Sequence, residues 1–313
     1  MTTDSIDNKR PRPASNGMKT TIVTHNGSFH ADDVFAVATI ILSLPPDSKY
    51  TIIRTRDIEE ISKADYVVDV GGVYDVDKKR FDHHQEGGAG KRQNGIPYAS
   101  FGLVWKEYGA QVSGNVDVAK IIEEKLVMFI DALDNGVEIS NTIFEDIRPY
   151  TISDYLYSYW IDQNISDKEV DVIFHRVVSM AKDLIIREKQ KISKIIEEGQ
   201  IVEDIYNKSE NKKIIVLDKH LAWGRKMAEK PEPLFVVYPS LNQGLWNVKA
   251  VRTNINSFEI RASFPASWSG KTMEDLSEVS GIKGAFFCHK NLFLAVADSK
   301  EGAIALAKKA LEN

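Results

Sequence analysis

Short apolar runs and helical patterns alternate along the first third of the chain. Runs rich in β-branched residues predict strands at 19–24, 50–54 and 65–69. Between them, the apolar residues after Asp33 predict a helix that Pro45 and Pro46 end, and residues 57–63 predict a second, shorter helix. Strands that alternate with helices in this way indicate a parallel sheet of βαβ units, and therefore an α/β fold.

The pattern changes in the later part of the chain. Residues 73–81 predict a hairpin, and the four glycines between 87 and 95 predict a mobile loop. Helical spacings predict helices at 98–108, 116–133, 167–207, 273–279 and 302–311. Alternating or apolar runs predict strands at 212–217, 234–238, 245–252, 258–264, 285–289 and 292–297. Clustered strands of this kind indicate a smaller α+β domain.

These patterns divide the chain into four predicted segments. They are a disordered tail at 1–18, an α/β domain at 19–165, a helical connector at 166–210 and an α+β domain at 211–313. The tail is polar, carries a short basic run and lacks the apolar region of a secretory signal. We therefore expect a protein of the cytoplasm or nucleus.

Composition excludes several classes of protein. The 313 residues include one cysteine, Cys288, which excludes a disulfide framework and a four-cysteine zinc site. No apolar stretch reaches the length of about 18 residues that suggests a membrane span. The net charge of −5 combines −10 over residues 1–206 with +5 over residues 207–313. An acidic part suits metal ions and a basic part suits an anionic ligand, although both also fit ordinary solvated surfaces.

Four polar segments in the first half carry the candidate chemistry. They are His25–Asp33, Asp69–Gly72, Asp82–His84 and Asp131–Asp134. The first two follow predicted parallel strands, where ligands of α/β sheets bind. Imidazole and carboxylate donors without a thiolate suit Mn²⁺, Mg²⁺, Fe²⁺ or Zn²⁺. Taken singly, each segment has an ordinary explanation, such as a helix cap at Asp32 or Asp33. Taken together, they predict two divalent ions and phosphoryl chemistry.

These segments resemble those of the melanocyte proliferating gene product family, a branch of metal-dependent hydrolases in the DHH phosphoesterase superfamily. The motifs that carry the resemblance are His25–Asp33, Asp69–Gly72, Phe81–Gln85 and Tyr98–Trp105. The resemblance covers nearly the whole chain after residue 18. It implies a DHH-like catalytic domain at 19–165, a substrate-holding domain at 211–313, and nucleus or mitochondrion as compartments.

The resemblance also implies roles for individual residues. Implied metal ligands are His25, His30, Asp32, Asp69, His83 and Asp131, with Asp134 as the substitute for Asp131. A histidine, His30, stands where the superfamily has its first aspartate, which favours a softer metal. Asp69 matches the carboxylate that bridges two ions, and His84 matches the residue at the scissile phosphate. Asp82 would orient these histidines.

The substrate-holding domain departs from the superfamily, because its glycine-rich signature ending in histidine is absent. His289 lies in the turn that replaces it. Arg252 and Arg261 lie on adjacent predicted strands and would grip phosphate, although each also fits an ordinary surface arginine.

Three functions agree with these observations. The first is a phosphodiesterase that uses two metal ions, with Mn²⁺ as the first candidate, to activate a hydroxide; the resemblance implies RNA cleaved from its 3′ end. The second is a phosphohydrolase of pyrophosphate or a nucleotide, and the third is a metal-stabilised binding protein without activity. A P-loop NTPase is excluded, because no glycine-rich Walker motif is present.

Overall fold

Each half of the chain builds its own five-stranded sheet. The computed structural model describes residues 19–144, 146–160, 165–242 and 244–312. The chain divides into two compact units, Met1–Ile192 and Ser193–Asn313. The predicted tail at 1–18 lies outside the described residues. Among those that are described, no helix combines the length and the apolar character needed to cross a bilayer.

The sheet of the first unit is mainly parallel, as the βαβ pattern predicts. Its strands are β1 (Thr20–Thr24), β2 (Tyr50–Arg54), β3 (Tyr66–Val68), β4 (Tyr74–Asp75) and β5 (Arg80–Phe81). Their order is β2-β1-β3-β5-β4, and only β4 runs antiparallel to its neighbour. The carboxyl ends of β2, β1, β3 and β5 therefore meet at one edge of the sheet.

Helices cover this sheet. They are α1 (Ala31–Ser43), α2 (Ile58–Lys63), α3 (Ser100–Ser113), α4 (Val116–Ile122), α5 (Met128–Asp134) and α6 (Ile152–Tyr157), followed by α7 (Asp167–Lys208), which continues into the second unit. α1 is buried along almost its whole length because its residues are apolar on all sides. A π-helical turn, Glu123–Val127, joins α4 to α5, where the sequence predicts one continuous helix.

The second unit is α+β, and its sheet is mixed. Its strands are β6 (Ile214–Val216), β7 (Phe235–Pro239), β8 (Trp246–Ala250), β9 (Ala285–Cys288) and β10 (Leu294–Ala297), in the order β6-β7-β8-β10-β9. Its remaining helices are α8 (Gly224–Glu229), α9 (Met273–Ser280) and α10 (Lys300–Ala310). β6 and β7 pair in parallel, and the other neighbours in this order pair antiparallel. One face of the sheet packs against α9 and α10 around Phe235, Val248 and Leu306.

The strand predicted at 258–264 is wrong. This segment forms a single bridge between Ile260 and Arg252 and otherwise consists of a bend and irregular backbone. Its alternation arises because Ile260 and Ala262 pack against the core while Arg261 turns towards the end of α8.

Candidate metal centre

Three of the four predicted segments meet at the carboxyl edge of the first sheet. His25 follows β1, Asp69 follows β3, and Asp82 with His83 and His84 follows β5. Because these strands are parallel neighbours, their carboxyl ends bring the side chains together. The fourth segment reaches the same place through the end of α5.

Asp69 lies at the centre of this group. Its Oδ2 atom is 3.3 Å from His25 Nε2, and its Oδ1 atom is 3.4 Å from His83 Nε2 and 3.4 Å from His84 Nδ1. Ser100 Oγ donates to Oδ1 over 3.2 Å. Burial alone would raise the pKa of Asp69, but the histidines outweigh it and hold that pKa well below its usual range. Asp69 therefore presents one oxygen to His25 and the other to His83 and His84.

The turn between β1 and α1 supplies the next donors. His25 Nδ1 contacts the carbonyl of Asn26 at 3.0 Å, so a proton on Nδ1 leaves the Nε2 lone pair for a ligand. Asp33 Oδ1 accepts the backbone N–H groups of His30 and Val34, which fixes the first turn of α1. Its Oδ2 lies 3.5 Å from His25 Nε2, is buried and has no hydrogen-bond partner.

Asp32 is fixed by the start of a different helix. Its two carboxylate oxygens accept the backbone N–H groups of Ser100 at 2.9 Å and Phe101 at 2.6 Å. Burial raises the pKa of Asp32 well above its usual range, and repulsion from Asp134 and Asp69 adds to this. Burial and the neighbouring carboxylates disfavour a negative charge on Asp32, whereas the positive end of the α3 dipole, which faces it, favours that charge.

The donors form three overlapping groups that suit metal ions. The groups are His25–His30–Asp69, Asp69–His83–His84 and Asp32–His83–Asp134, each with ligand atoms within 4.8 Å of one another. His83 Nε2 is buried, lies 3.1 Å from Asp134 Oδ2 and makes no well-aligned hydrogen bond. Burial lowers the pKa of His83, but the carboxylates of Asp134 and Asp69 outweigh it and raise that pKa to about 11. Crowded carboxylates of this kind are what divalent cations neutralise, so these residues fit such ions.

Asp131 and Asp134 take different positions. Asp134 belongs to the third group, whereas Asp131 belongs to none of the groups found among the described residues. Asp131 instead lies 2.7 Å from the guanidinium of Arg92 and accepts the backbone N–H of Gly102 at 3.0 Å. The structure therefore groups Asp134, and not Asp131, with the other candidate donors, whereas the sequence prediction puts Asp131 first.

Asp82 holds His84 in place. Its Oδ1 accepts the backbone N–H of His84 at 3.1 Å and the ring Nδ1–H at 2.8 Å. Its Oδ2 accepts the N–H of Gly72 at 2.6 Å, which ties the turn after Asp69 to the histidine pair. The His84 side chain is 62% exposed, so its Nε2 is accessible to a substrate.

Two buried arginines escape the sequence analysis. Arg92 lies within the predicted mobile loop, yet its side chain is 7% exposed and also pairs with Glu123 at 2.8 Å. Arg54 ends β2, donates to the carbonyl of Gly27 and pairs with Asp171 of α7 at 3.0 Å. Only the tertiary fold reveals either role, because the partners are distant in the chain.

The predicted substrate residues of the second unit differ in their surroundings. Arg261 donates to the carbonyls of Met227, Lys230, Pro233 and Ala228, so its guanidinium holds the end of α8. Arg252 does not share this environment. Its guanidinium lies over the ring of Phe258 at 4.9 Å. The expectation that both arginines lie on adjacent strands is wrong.

A basic and aromatic strip surrounds Arg252. Lys249 lies over the ring of Phe293 at 5.7 Å, and that ring lies 4.4 Å from the ring of His289. Burial lowers the pKa of Lys249, and the nearby charge of Arg252 adds to this. We call Lys249, Arg252, Phe258, His289 and Phe293 the basic strip.

Comparisons with known proteins give a family model and relatives that match most of the chain. The family model MYG1_exonuc, described as "Uncharacterised protein family (UPF0160)", matches residues 21–311. The chain is 33% identical to the MYG1 protein of Dictyostelium discoideum, over 93% of this chain and 96% of that protein. It is 34% identical to the MYG1 protein of Chlamydia pneumoniae, over 90% and 92%. It is 28% identical to a Homo sapiens protein named MYG1 exonuclease, over 93% and 85%.

Proposed function

The chain belongs to the MYG1 family, UPF0160, and from this premise we propose that it is a divalent-metal-dependent phosphodiesterase that removes nucleotides from the 3′ end of RNA. The observation that carries the proposal is the position of Asp69, with its two oxygens towards different histidine groups. The human, rat and mouse relatives are named exonucleases, which supports a nucleic-acid substrate.

The ligand groups suggest how the chain would hold two ions. His25, His30 and Asp69 would hold one, and Asp32, His83 and Asp134 would hold the other, with Asp69 shared between them. Mn²⁺ suits this mixture of imidazole and carboxylate donors, as do Mg²⁺, Fe²⁺ and Zn²⁺. When bound, such ions supply the charge that activates a water molecule and neutralises the reacting phosphate.

The chain's own residues provide positioning. The N–H groups of Ser100 and Phe101 fix Asp32, and Ser100 Oγ fixes Asp69, so the carboxylates need little rearrangement during the reaction. Because Asp82 binds Nδ1 of His84, Nε2 would contact a non-bridging phosphate oxygen of the substrate. In its protonated form, His84 would donate a hydrogen bond to that oxygen.

The basic strip supports a nucleic-acid substrate. Its cations suit a phosphate backbone, and Phe258, which is 89% exposed, offers a ring to an unpaired base. We include Arg252 and His289 in substrate binding and leave Arg261 out, because its guanidinium is engaged with backbone carbonyls.

The test uses protein stripped of metal and then supplied with Mn²⁺. Single-stranded RNA labelled at its 5′ end should give a ladder that shortens from the 3′ end, while a circular RNA should resist cleavage. An RNA with a labelled 3′ end should release a labelled mononucleotide first. Cleavage of the circular RNA, or equal cleavage in EDTA, would contradict the proposal.

The alternative functions give different results in the same assay. A small-molecule phosphohydrolase would release phosphate from pyrophosphate or nucleotides and leave RNA intact. Its affinity would change little with salt, whereas RNA binding should weaken with a log–log slope of about −0.7 for each phosphate contacted. A binding protein without activity would gain thermal stability from metal and cleave neither substrate.

A further inference from the structure

An aromatic segment adjoins the metal centre. Residues 150–160 contain Tyr150 just before α6, Tyr155 and Tyr157 on α6, and Tyr159 and Trp160 after it. Trp160 packs on Phe29, which belongs to the turn between His25 and His30, with ring centroids 5.4 Å apart. This contact anchors the segment beside the donors of the metal centre.

Tyr157 is the tyrosine next to a candidate ligand. Its ring lies edge-on to His30, with centroids 6.5 Å apart and planes at 74°. It is 48% exposed, although it lies beside a largely buried cluster. Burial raises its pKa, and the charges of Asp134 and Asp33 add to this, which agrees with a position close to both carboxylates. An exposed aromatic ring therefore borders the metal centre.

A second aromatic group continues from Tyr157. The hydroxyls of Tyr155 and Tyr159 are 3.1 Å apart and their ring centroids 5.7 Å apart, which holds the pair together. Arg176 of α7 lies over Tyr159 at 5.4 Å and is exposed. Tyr155 is 37% exposed and Tyr150 is 73% exposed. Exposed rings that lie together form the kind of surface patch that marks an interaction site.

We propose that Tyr157, together with the Tyr155–Tyr159–Arg176 group, is a stacking site for the unpaired bases of a single-stranded nucleic acid. Tyr157 takes the base next to the phosphate held at the metal centre, and the second group takes the neighbouring nucleotide. Tyrosine offers a flat apolar face at low cost in conformational entropy, and stacking tolerates any base. Arg176 adds a cation for the backbone or a base. This inference rests on the proposed function of the metal centre.

The site implies a preference for unpaired strands. The bases of a duplex are already stacked on each other, so reaching a tyrosine requires unstacking that costs a few kcal/mol per step. We therefore expect single-stranded RNA to bind better than a blunt duplex of the same length.

The test compares Tyr157→Ala, Tyr157→Leu and Tyr157→Phe with wild type in the full-length chain. An RNA with 2-aminopurine at its 3′ end reports stacking by its fluorescence in EDTA, and KM and kcat are measured with Mn²⁺. The Ala and Leu variants should lose the quenching and raise Kd and KM about tenfold, while kcat changes less. The Phe variant should behave as wild type, which separates stacking from any role of the hydroxyl.

Tyr50→Ala is the matched control, because Tyr50 begins β2 at the opposite edge of the same sheet. Equal Kd, KM and quenching in Tyr157→Leu and Tyr50→Ala would overturn the stacking site, as would a changed oligomeric state without a change in RNA binding. If wild type binds the RNA through Tyr157 but cleaves nothing, the stacking site stands and the nuclease proposal fails. If wild type neither binds nor cleaves it, both fail.

Discussion

Asp69 combines two features that bear on the metal centre. Its carboxylate contacts three histidines that follow two strands of the sheet, β1 and β5. Its backbone has φ of +56°, a left-handed conformation that few non-glycine residues adopt. Strain of this kind is held in place by its surroundings and clusters at functional sites. The backbone conformation turns the chain sharply after β3, so that the turn at Gly71 and Gly72 can reach Asp82.

Asp82→Asn tests how the histidine pair is positioned. The amide can still accept hydrogen bonds, but it loses the charge that holds His84, so kcat/KM on RNA should fall about 10- to 100-fold. Asp77→Asn, in the exposed turn between β4 and β5, is the matched control. Steady-state kinetics with Mn²⁺ measures both variants. Equal values for the two would show that Asp82 does not position His84.

The buried His83 predicts how stability depends on pH in the metal-free protein. Its folded pKa of about 11 lies above the ordinary value of 6.5, so its contribution to stability is complete below pH 6.5 and is lost as pH rises towards 11. Urea unfolding in EDTA should therefore show a smaller free energy at pH 8.5 than at pH 7. His83→Asn should show a weaker dependence over this interval. An equal dependence in both proteins would contradict the assigned shift.

For single residues, the sequence predicts the candidate metal donors better than it predicts the arginines that pair with nearby carboxylates. His25, Asp69, His83 and Asp134 can be recognised because each ends an element within a short motif. The sequence does not show which of Asp131 and Asp134 faces the other donors. That depends on Arg92, which binds Asp131 from a loop 39 positions earlier in the chain. The pairing of Arg54 with Asp171 spans 117 positions.

Among the elements, the start of α3 organises the centre. Its backbone N–H groups at Ser100 and Phe101 bind Asp32, and the N–H of Gly102 binds Asp131. Glycine at 102 leaves room for this, since a Cβ there would lie 1.8 Å from Asp131 Oδ2. The predicted motif Tyr98–Trp105 is thus explained by the contacts of one helix end.

Gly102→Ala should disrupt this arrangement. The methyl group would displace Asp131 and Arg92, and the free energy of unfolding should fall by about 1–3 kcal/mol or more. Gly224→Ala, where a Cβ would meet Ile255 at an ordinary 4.0 Å, is the control. Urea denaturation in EDTA measures both. A Gly102→Ala protein as stable as the control would show that Asp131 and Arg92 can move away from the added methyl group at little cost in free energy.

Arg261 and Arg252 give a second comparison. Arg261→Ala should lower the free energy of unfolding by about 1.5–3 kcal/mol, because it leaves carbonyls at the end of α8 without a charged donor. Arg252→Ala should keep stability and weaken RNA binding. Thermal melts and fluorescence titrations separate the two effects. A loss of RNA affinity in a stable Arg261→Ala protein would contradict the structural role of Arg261.

The elements themselves are mostly predictable from periodicity. β1, β2, β3 and α1 begin and end within two residues of the apolar patterns, since β-branched runs and prolines mark them. α6 and α8, each of six residues, are not predicted from the sequence. The π turn at Glu123–Val127 also leaves no periodic signal.

The whole molecule separates opposite charges along its length. The acidic part carries the candidate metal ligands, and the basic part, with +5 over residues 207–313, carries the basic strip. This distribution is readable from composition alone. It suits a protein that binds cations in one unit and a polyanion with the other, as expected for a metal-dependent nuclease.

Metal content and RNA cleavage, measured together in wild type and Asp69→Asn, test whether Asp69 holds the ions that cleavage needs. Wild type should retain about two Mn²⁺ ions per chain, as expected for a two-metal site, and shorten single-stranded RNA from its 3′ end. Asp69→Asn should bind less metal and cleave RNA at least about a hundredfold more slowly, because it removes the shared ligand. The expected loss is this large because changing a residue that only hydrogen-bonds a metal ligand already lowers metal affinity or activity about 10- to 100-fold. Asp77→Asn should match wild type. An Asp69→Asn protein that cleaves RNA as fast as wild type would show that cleavage does not need metal ions held by Asp69.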